Sequence, residues 1–222
     1  MQAIILAAGR GKRMGEITNS IPKPLLKIKD KTLIEYKIEA LPDRVNEVII
    51  VIGHLQDEIR NAIGNKIGNR KIRYIEQKEL NGTGPALFCT QDLIKEKFIV
   101  LMGDDIYEKK DLENCCQYDF SVLAYKMPVN GKGAKIETDE KNYLKSIIEG
   151  QDLKRGDYQN TGVYTLTREI FKYKLVKIPN GEFGLPQTIS GAIKDFPIKV
   201  IETKTWHRVT SPNDLITYST IL

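Results

Sequence analysis

The chain has 222 residues, 41% hydrophobic and 28% charged, with a formal net charge of +5. These proportions describe a globular protein able to bury a sizeable core, and they exclude a disordered or membrane-embedded chain. The modest positive charge suits an acidic small-molecule ligand, and no Lys/Arg stripe with interleaved aromatics argues for nucleic acid.

In chain order, the first predicted element is a buried strand, Gln2–Leu6. The apolar start is short and carries no basic leader, so it is not read as a signal peptide, and a cytoplasmic location is expected. The strand runs into Leu6-Ala7-Ala8-Gly9-Arg10-Gly11-Lys12-Arg13-Met14, and Pro22-Lys23-Pro24 follows. Small residues let backbone N–H groups close on anionic oxygens, while Lys12, Arg13 and Lys23 supply the charge that holds a triphosphate. A dinucleotide fingerprint needs a third Gly where Met14 stands, and the Gly-Lys-Ser/Thr of a Walker A loop is absent. A tight turn asks for glycines on backbone grounds alone, so the loop gains its meaning from the cations gathered around it.

Strands are predicted at Val48–Ile52, Ile72–Ile75 and Phe98–Met102, and helices at Thr32–Ala40, Leu55–Ile63 and Gly84–Ile94. This alternation is the pattern of an open parallel sheet with helices on both faces. Thr32 is placed to cap its helix. Gln77 precedes Asn81-Gly82-Thr83, where an amide and closely approaching backbone can read a nucleobase edge; an ordinary helix-entry loop would use the same residues. Phe98–Met102 ends in Gly103-Asp104-Asp105, and the carboxyl ends of strands face the ligand crevice in such sheets. Asp104 is therefore the candidate ligand for Mg²⁺, against the alternative of a solvated turn. Cys89, Cys115 and Cys116 lack metal-ligand spacing and are read as structural.

Beyond about residue 110, Phe120–Lys126, Ala134–Ile136, Leu144–Ile148 and Gly162–Leu166 read as strands, with Asn130-Gly131-Lys132-Gly133 as a turn. They suggest an antiparallel or mixed lobe that covers the ligand. Helices are expected at Leu185–Lys194 and Pro212–Ser219.

Together, Leu-Ala-Ala-Gly-x-Gly-x-Arg-Met, Pro-Lys-Pro-Leu, Lys31-Thr32-Leu33-Ile34-Glu35-Tyr36, Gln77 with Gly82-Thr83, and Gly103-Asp104 resemble the sugar-1-phosphate nucleotidyltransferases that make NDP-sugars. The base-reading segment is most similar to uridylyltransferases acting on N-acetylglucosamine 1-phosphate. The resemblance implies the nucleotide-diphospho-sugar transferase fold: a Rossmann-like, open, mostly parallel α/β sheet flanked by helices, with a small antiparallel lobe over the sugar site. One domain is expected, with a nucleotide-binding half at about 1–110 and an acceptor-binding half at about 111–222. The implied reaction is attack by a sugar 1-phosphate on the α-phosphorus of UTP, with Mg²⁺ as cofactor and pyrophosphate as product. Arg13 would hold the β- and γ-phosphates, Lys23 the α-phosphate and Asp104 the metal. Leu6, Ala7, Ala8, Gly9, Gly11 and Lys12 would line the nucleotide cradle with Gln77, Gly82 and Thr83. Gly133, Glu149 and Asn160 match positions where the family contacts the sugar and its phosphate.

The chain departs from that pattern in three places. Arg208 stands where relatives carry a metal-binding Asp, and a guanidinium cannot coordinate a cation. Arg208 is therefore assigned to the substrate phosphate, with Asp105 and His207 left open as second metal ligands. Gln187 replaces an acid, and Glu149 is followed by Gly150-Gln151 rather than Lys-Pro, with Lys154 or Arg155 as alternative phosphate contacts. Two other readings stay open: a cytidylyltransferase for a phosphorylated alcohol such as phosphocholine, and a catalytically degenerate nucleotide-sugar-binding regulator. No nucleic acid or membrane partner is expected, and the oligomeric state is left open.

Overall fold

The computed structural model describes residues 1–221. Its strands are β1 (Gln2–Leu6), β2 (Lys27–Ile28), β3 (Lys31–Thr32), β4 (Glu47–Ile52), β5 (Lys66–Ile67), β6 (Arg70–Glu76), β7 (Phe98–Met102), β8 (Asp105–Tyr107), β9 (Ser121–Lys126), β10 (Gly131–Thr138), β11 (Leu144–Leu153), β12 (Tyr158–Leu166), β13 (Val176–Lys177), β14 (Phe183–Gly184), β15 (Lys199–Thr203) and β16 (Trp206–Arg208). The helices are α1 (Leu33–Ala40), α2 (Gln56–Ile63), α3 (Thr83–Phe88), α4 (Lys109–Cys115), α5 (Leu185–Ala192) and α6 (Pro212–Ile221).

The main sheet runs β11-β10-β12-β7-β1-β4-β6-β5, with β9 beside β12 and β15 beside β9. β7, β1, β4 and β6 are mutually parallel, whereas β10, β11 and β12 pair antiparallel. The sheet is thus mixed and mostly parallel at its centre, as expected. Every residue of β1 is buried, because a parallel strand inside an α/β sheet is covered on both faces. Its side chains alternate between two cores. Ile4 and Leu6 join Ile49, Val51 and Val100 on one face; Ala3 and Ile5 join Val48, Ile50 and Leu101 on the other. A third cluster, built on Met14, Ile28, Leu33, Ile106 and Val209, ties the loop after β1 to the end of the chain. No described helix is long and apolar enough to cross a membrane.

Thr32 caps α1 through a reciprocal box: Glu35 N–H donates to Thr32 Oγ1 at 3.3 Å, and Thr32 N–H donates to Glu35 Oε2 at 2.8 Å. The helix expected over Gly84–Ile94 ends at Phe88. Thr90 folds back there, its N–H and hydroxyl both donating to the Leu87 carbonyl, and Gln91–Leu93 form a tighter turn. The expected turn at 130–133 is corrected too: Gly131–Gly133 belong to β10, opposite Gln151–Leu153 of β11. The hairpin is longer than its apolar stretches because its outer ends are solvated and carry no alternating pattern. Cys115 and Cys116 are buried and free, and burial pushes both thiols up in pKa.

Candidate active site

A cleft of about 950 Å³ opens across the carboxyl ends of β1 and β7. Every residue that the resemblance assigns to nucleotide, metal or sugar phosphate lines it, from both halves of the chain, whereas the alternatives His207, Lys154 and Arg155 do not. The turn after β1 forms its floor. Ala7 N–H donates to Val51 O and so continues the sheet, but the N–H groups of Ala8, Gly9, Arg10 and Gly11 donate to no backbone carbonyl among the described residues. Gly11 has a φ of +64°, and a methyl group there would meet Lys23 Cβ at 3.0 Å and Thr18 Cγ2 at 3.1 Å. Glycine therefore satisfies both the backbone conformation and the close approach of the Lys23 segment. Arg13 and Lys12 are exposed at the rim.

Lys23 lies at the back of the cleft, only 5% exposed. Its Nζ donates to Asp104 Oδ2 at 2.7 Å and to the Val209 carbonyl at 2.5 Å. Asp104 is 30% exposed in its side chain, and its Oδ1 has no hydrogen-bond partner among the described residues. Gly103 makes that position possible, since its N–H donates to Leu6 O and a methyl group would lie 2.5 Å from the same oxygen. β7 thus ends directly against β1, which places the carboxylate beside the glycine turn.

Asp105 faces inward and has a different task. Its Oδ1 accepts from Val209 N–H at 3.2 Å, and its Oδ2 accepts from Trp206 Nε1 at 3.1 Å. β8 and β16 pair antiparallel with Arg208 opposite Asp105, so Asp105 clamps the late strand to the Asp104 turn. Burial raises the Asp105 pKa, with Asp104 adding to the rise. Behind it, Lys37 of α1 is wholly buried and donates to Leu33 O at 3.0 Å; burial lowers its pKa, opposed by the two aspartates. A buried cation near the buried Asp105 and the partly exposed Asp104 avoids the cost of an uncompensated charge in the interior. Sequence inspection places Lys37 on the apolar face of a helix and gives it no reason to be there.

Alternation along β16 sends Trp206 and Arg208 into the cleft and His207 to the other side, edge-on to Tyr218. His207 is therefore removed as a candidate metal ligand, and Asp105 is committed to its two donors. Among the described residues no three His, Cys, Asp or Glu side chains gather to hold a metal. The free Asp104 oxygen fits a different habit of Mg²⁺, which binds through one or two carboxylates and completes its shell with substrate phosphates and water. Arg208 sits over the Trp206 ring with its guanidinium carbon 5.8 Å from the ring centroid.

Gln77 continues from β6, its N–H bound to Ile52 O and its side chain 7% exposed. Nε2 donates to the Gly82 carbonyl at 3.0 Å, which leaves Oε1 as the atom free to accept. Gly82 has a φ of +122°, and a methyl group would lie 2.3 Å from the Phe183 carbonyl. Thr83 Oγ1 accepts from Leu185 N–H at 3.0 Å, so that side chain ties the Gly82 loop to α5 while lining the cleft.

From the second half of the chain, Gly133, Glu149 and Asn160 lie on β10, β11 and β12. Asn160 donates to Tyr164 OH at 2.6 Å and accepts from Gly162 N–H. Glu149 is exposed to the cleft mouth, yet the surrounding walls exclude enough water to raise its pKa, while Arg208 pulls it down. Lys154 and Arg155 sit in the exposed turn between β11 and β12 and do not line the cleft, whereas Lys132 does. Sequence inspection also passes over Gln159 and Thr210 as lining residues; Gln159 directly precedes Asn160-Thr161-Gly162, the one signal that could have found it.

Residues 2–220 match the Nucleotidyl transferase family, and the chain belongs to it. It is similar to the "Bifunctional protein GlmU" of Methanocaldococcus jannaschii, 29% identical over 97% of this chain and 53% of the relative. It is also 28% identical to the "Bifunctional sugar-1-phosphate nucleotidylyltransferase/acetyltransferase" of Sulfurisphaera tokodaii, over 97% of this chain and 54% of that protein. The chain thus spans about half the length of these relatives. The solved structure of a UDP-glucose pyrophosphorylase complexed with UDP-glucose superimposes with a TM-score of 0.80, covering 99% of this chain and 97% of that one at 24% identity; the two share a fold.

Proposed function

We propose that this chain catalyses Mg²⁺-dependent transfer of a uridylyl group from UTP to a sugar 1-phosphate, giving a UDP-sugar and pyrophosphate. The observation that carries the reading is the 2.7 Å contact of Lys23 with Asp104 at the back of a cleft floored by unpaired backbone amides. A triphosphate laid along that floor meets the amides of Ala8, Gly9 and Gly11, with Arg13 over the β- and γ-phosphates and Lys23 at the α-phosphate. Mg²⁺ arriving with the nucleotide would be held by Asp104 and by phosphate oxygens, and it supplies neutralisation of phosphate charge. An oxygen of the sugar 1-phosphate forms a bond to the α-phosphorus, and the bond to the bridging oxygen breaks, its electron pair leaving with pyrophosphate. The attacking oxygen is already ionised, so no base is required, in keeping with a cleft that no histidine lines. Positioning and charge stabilisation are the protein's contribution.

UTP is favoured by the resemblance of the Gln77, Gly82 and Thr83 segment to uridylyltransferases. The free Oε1 of Gln77 matches the N3–H of uracil, but the N4 amino group of cytosine donates equally well, so transfer from CTP is the second reading. Pyrophosphate release is measured with UTP, CTP, dTTP and GTP, each against a panel of sugar 1-phosphates and phosphocholine, with and without Mg²⁺. UTP with a sugar 1-phosphate is expected to be fastest, and only with the metal. Release confined to CTP and phosphocholine would replace the reading with the cytidylyl one; nucleotide-sugar binding without any turnover would replace it with a degenerate regulator.

A further inference from the structure

The acceptor half of the cleft contains a buried polar side chain that the protein itself leaves unsatisfied. Gln159 lies on β12, opposite Tyr125 of β9 and Lys135 of β10, and is 5% exposed. It lines the cleft. Its neighbour Asn160 uses both ends of its amide inside the fold. The Gln159 side chain has no hydrogen bond among the described residues, yet it is not sealed away: neither polar atom is among those that are both inaccessible and unpaired. Buried amides are hydrogen-bonded as a rule, and one that is unpaired but open to a cleft is suited to a ligand group.

Gly133 is what admits it. A methyl group on Gly133 would lie 2.2 Å from Gln159 Nε2 and 2.7 Å from Cδ. The amide therefore lies across the Gly133 backbone in space that any other residue would fill, and the strand gives up a side chain on β10 to bring an amide on β12 to the cleft surface. Glu149 and Arg208 line the same end.

We propose that Gln159 is a specificity-determining residue for the acceptor, pairing through Nε2 and Oε1 with a group on the sugar that donates and accepts side by side. The inference rests on the reading of the cleft as a site of transfer to a sugar 1-phosphate. Two chemistries present that edge: adjacent ring hydroxyls and an N-acyl substituent. A quaternary ammonium presents neither a donor nor an acceptor, so the same residue disfavours phosphocholine. Sites that hydrogen-bond a substrate group reject analogues lacking it strongly, because the protein group is then buried unpaired.

The test uses Gln159→Leu, which keeps most of the volume, and Gln159→Asn, which keeps the amide but withdraws it by one methylene. Pyrophosphate release is followed with UTP and either glucose 1-phosphate or its 2-acetamido counterpart, and calorimetry gives dissociation constants for UDP and for each UDP-sugar. For the preferred sugar, Gln159→Leu is expected to raise the acceptor KM and the UDP-sugar Kd about tenfold, with Gln159→Asn between it and wild type. The KM for UTP and the Kd for UDP stay as in wild type, and the preference between the two sugars shrinks; which sugar loses more distinguishes hydroxyl from acyl recognition. Acceptor KM and UDP-sugar Kd within twofold of wild type overturn the proposal, as does a parallel loss of UDP affinity. If wild-type protein binds UDP-sugars but releases no pyrophosphate, the transfer reading fails alone, and the ratio of UDP-sugar to UDP affinity still decides the role of Gln159. If it binds no UDP-sugar, both fall.

Discussion

The two ends of the cleft are built by different means. At the end proposed for the nucleotide, the groups follow directly from the carboxyl ends of parallel strands: Ala7–Gly11 after β1, Gln77 after β6, and Gly103-Asp104 after β7. At the end proposed for the acceptor they sit within antiparallel strands, and their meeting depends on the register of β10, β11 and β12 and on the pairing of β16 with β8. In the first arrangement each motif carries its own geometry. In the second, one polar side chain can be exchanged for another without moving the glycine turn or the Lys23–Asp104 contact.

The sharpest way to break this contrast is at Lys23. Lys23→Ala removes the cation proposed for the α-phosphate, and kcat is expected to fall by about 10²–10³, the effect typical of losing one preorganised donor. The loss should appear equally with every acceptor, since Lys23 belongs to the nucleotide end. Unchanged pyrophosphate release would remove it from the mechanism; a loss confined to one sugar would erase the division of labour between the two ends. Asp104→Asn is next. It keeps the shape but not the charge, so the Mg²⁺ concentration for half-maximal rate should rise and kcat should drop by about tenfold to a hundredfold. A rate that ignores both the substitution and the metal concentration would show that Asp104 serves only as the partner of Lys23.

Asp105 joins the two ends, and its loss should be felt as stability before chemistry. Asp105→Ala leaves the buried N–H of Val209 and the half-buried indole N–H of Trp206 without an acceptor, at a cost of about 1–3 kcal/mol for a donor that stays dry and less for one that water reaches. Thermal unfolding checks it. A melting temperature equal to wild type would mean that β16 finds other partners.

What could be read in the sequence follows the same line. β1 and β7 matched their predicted bounds because a fully apolar run between a polar start and a glycine turn has few alternatives. Asp104 and Lys23 were recognisable because each sits in a short motif. By contrast, α4 has only Leu112 and Cys115 buried, too narrow a stripe to stand out, and β15 carries only Val200 and Thr203 inside. The task of Asp105 arises from Trp206 and Val209, 101 and 104 positions away, that of Lys37 from the Asp104-Asp105 turn, and that of Gln159 from Gly133 on another strand. Local pattern is silent on such meetings. Arg208 stood out as a departure, but the stacking on Trp206 that holds it needed the β8–β16 pairing to be seen.

Arg208 and Glu149 allow the smallest and most specific test of the acceptor end. Burial raises the Glu149 pKa and Arg208 lowers it. Arg208→Gln removes the lowering influence and leaves burial unopposed, so Glu149 holds its proton to a higher pH than in wild type. If ionised Glu149 accepts hydrogen bonds from the sugar, the acid limb of kcat/KM for the acceptor moves upward in pH. The limb for UTP binding should not move, because Gln77 and the glycine turn do not face this pair. An acid limb that stays in place, or shifts for both substrates together, would separate Glu149 from Arg208 and leave the guanidinium with the phosphate alone.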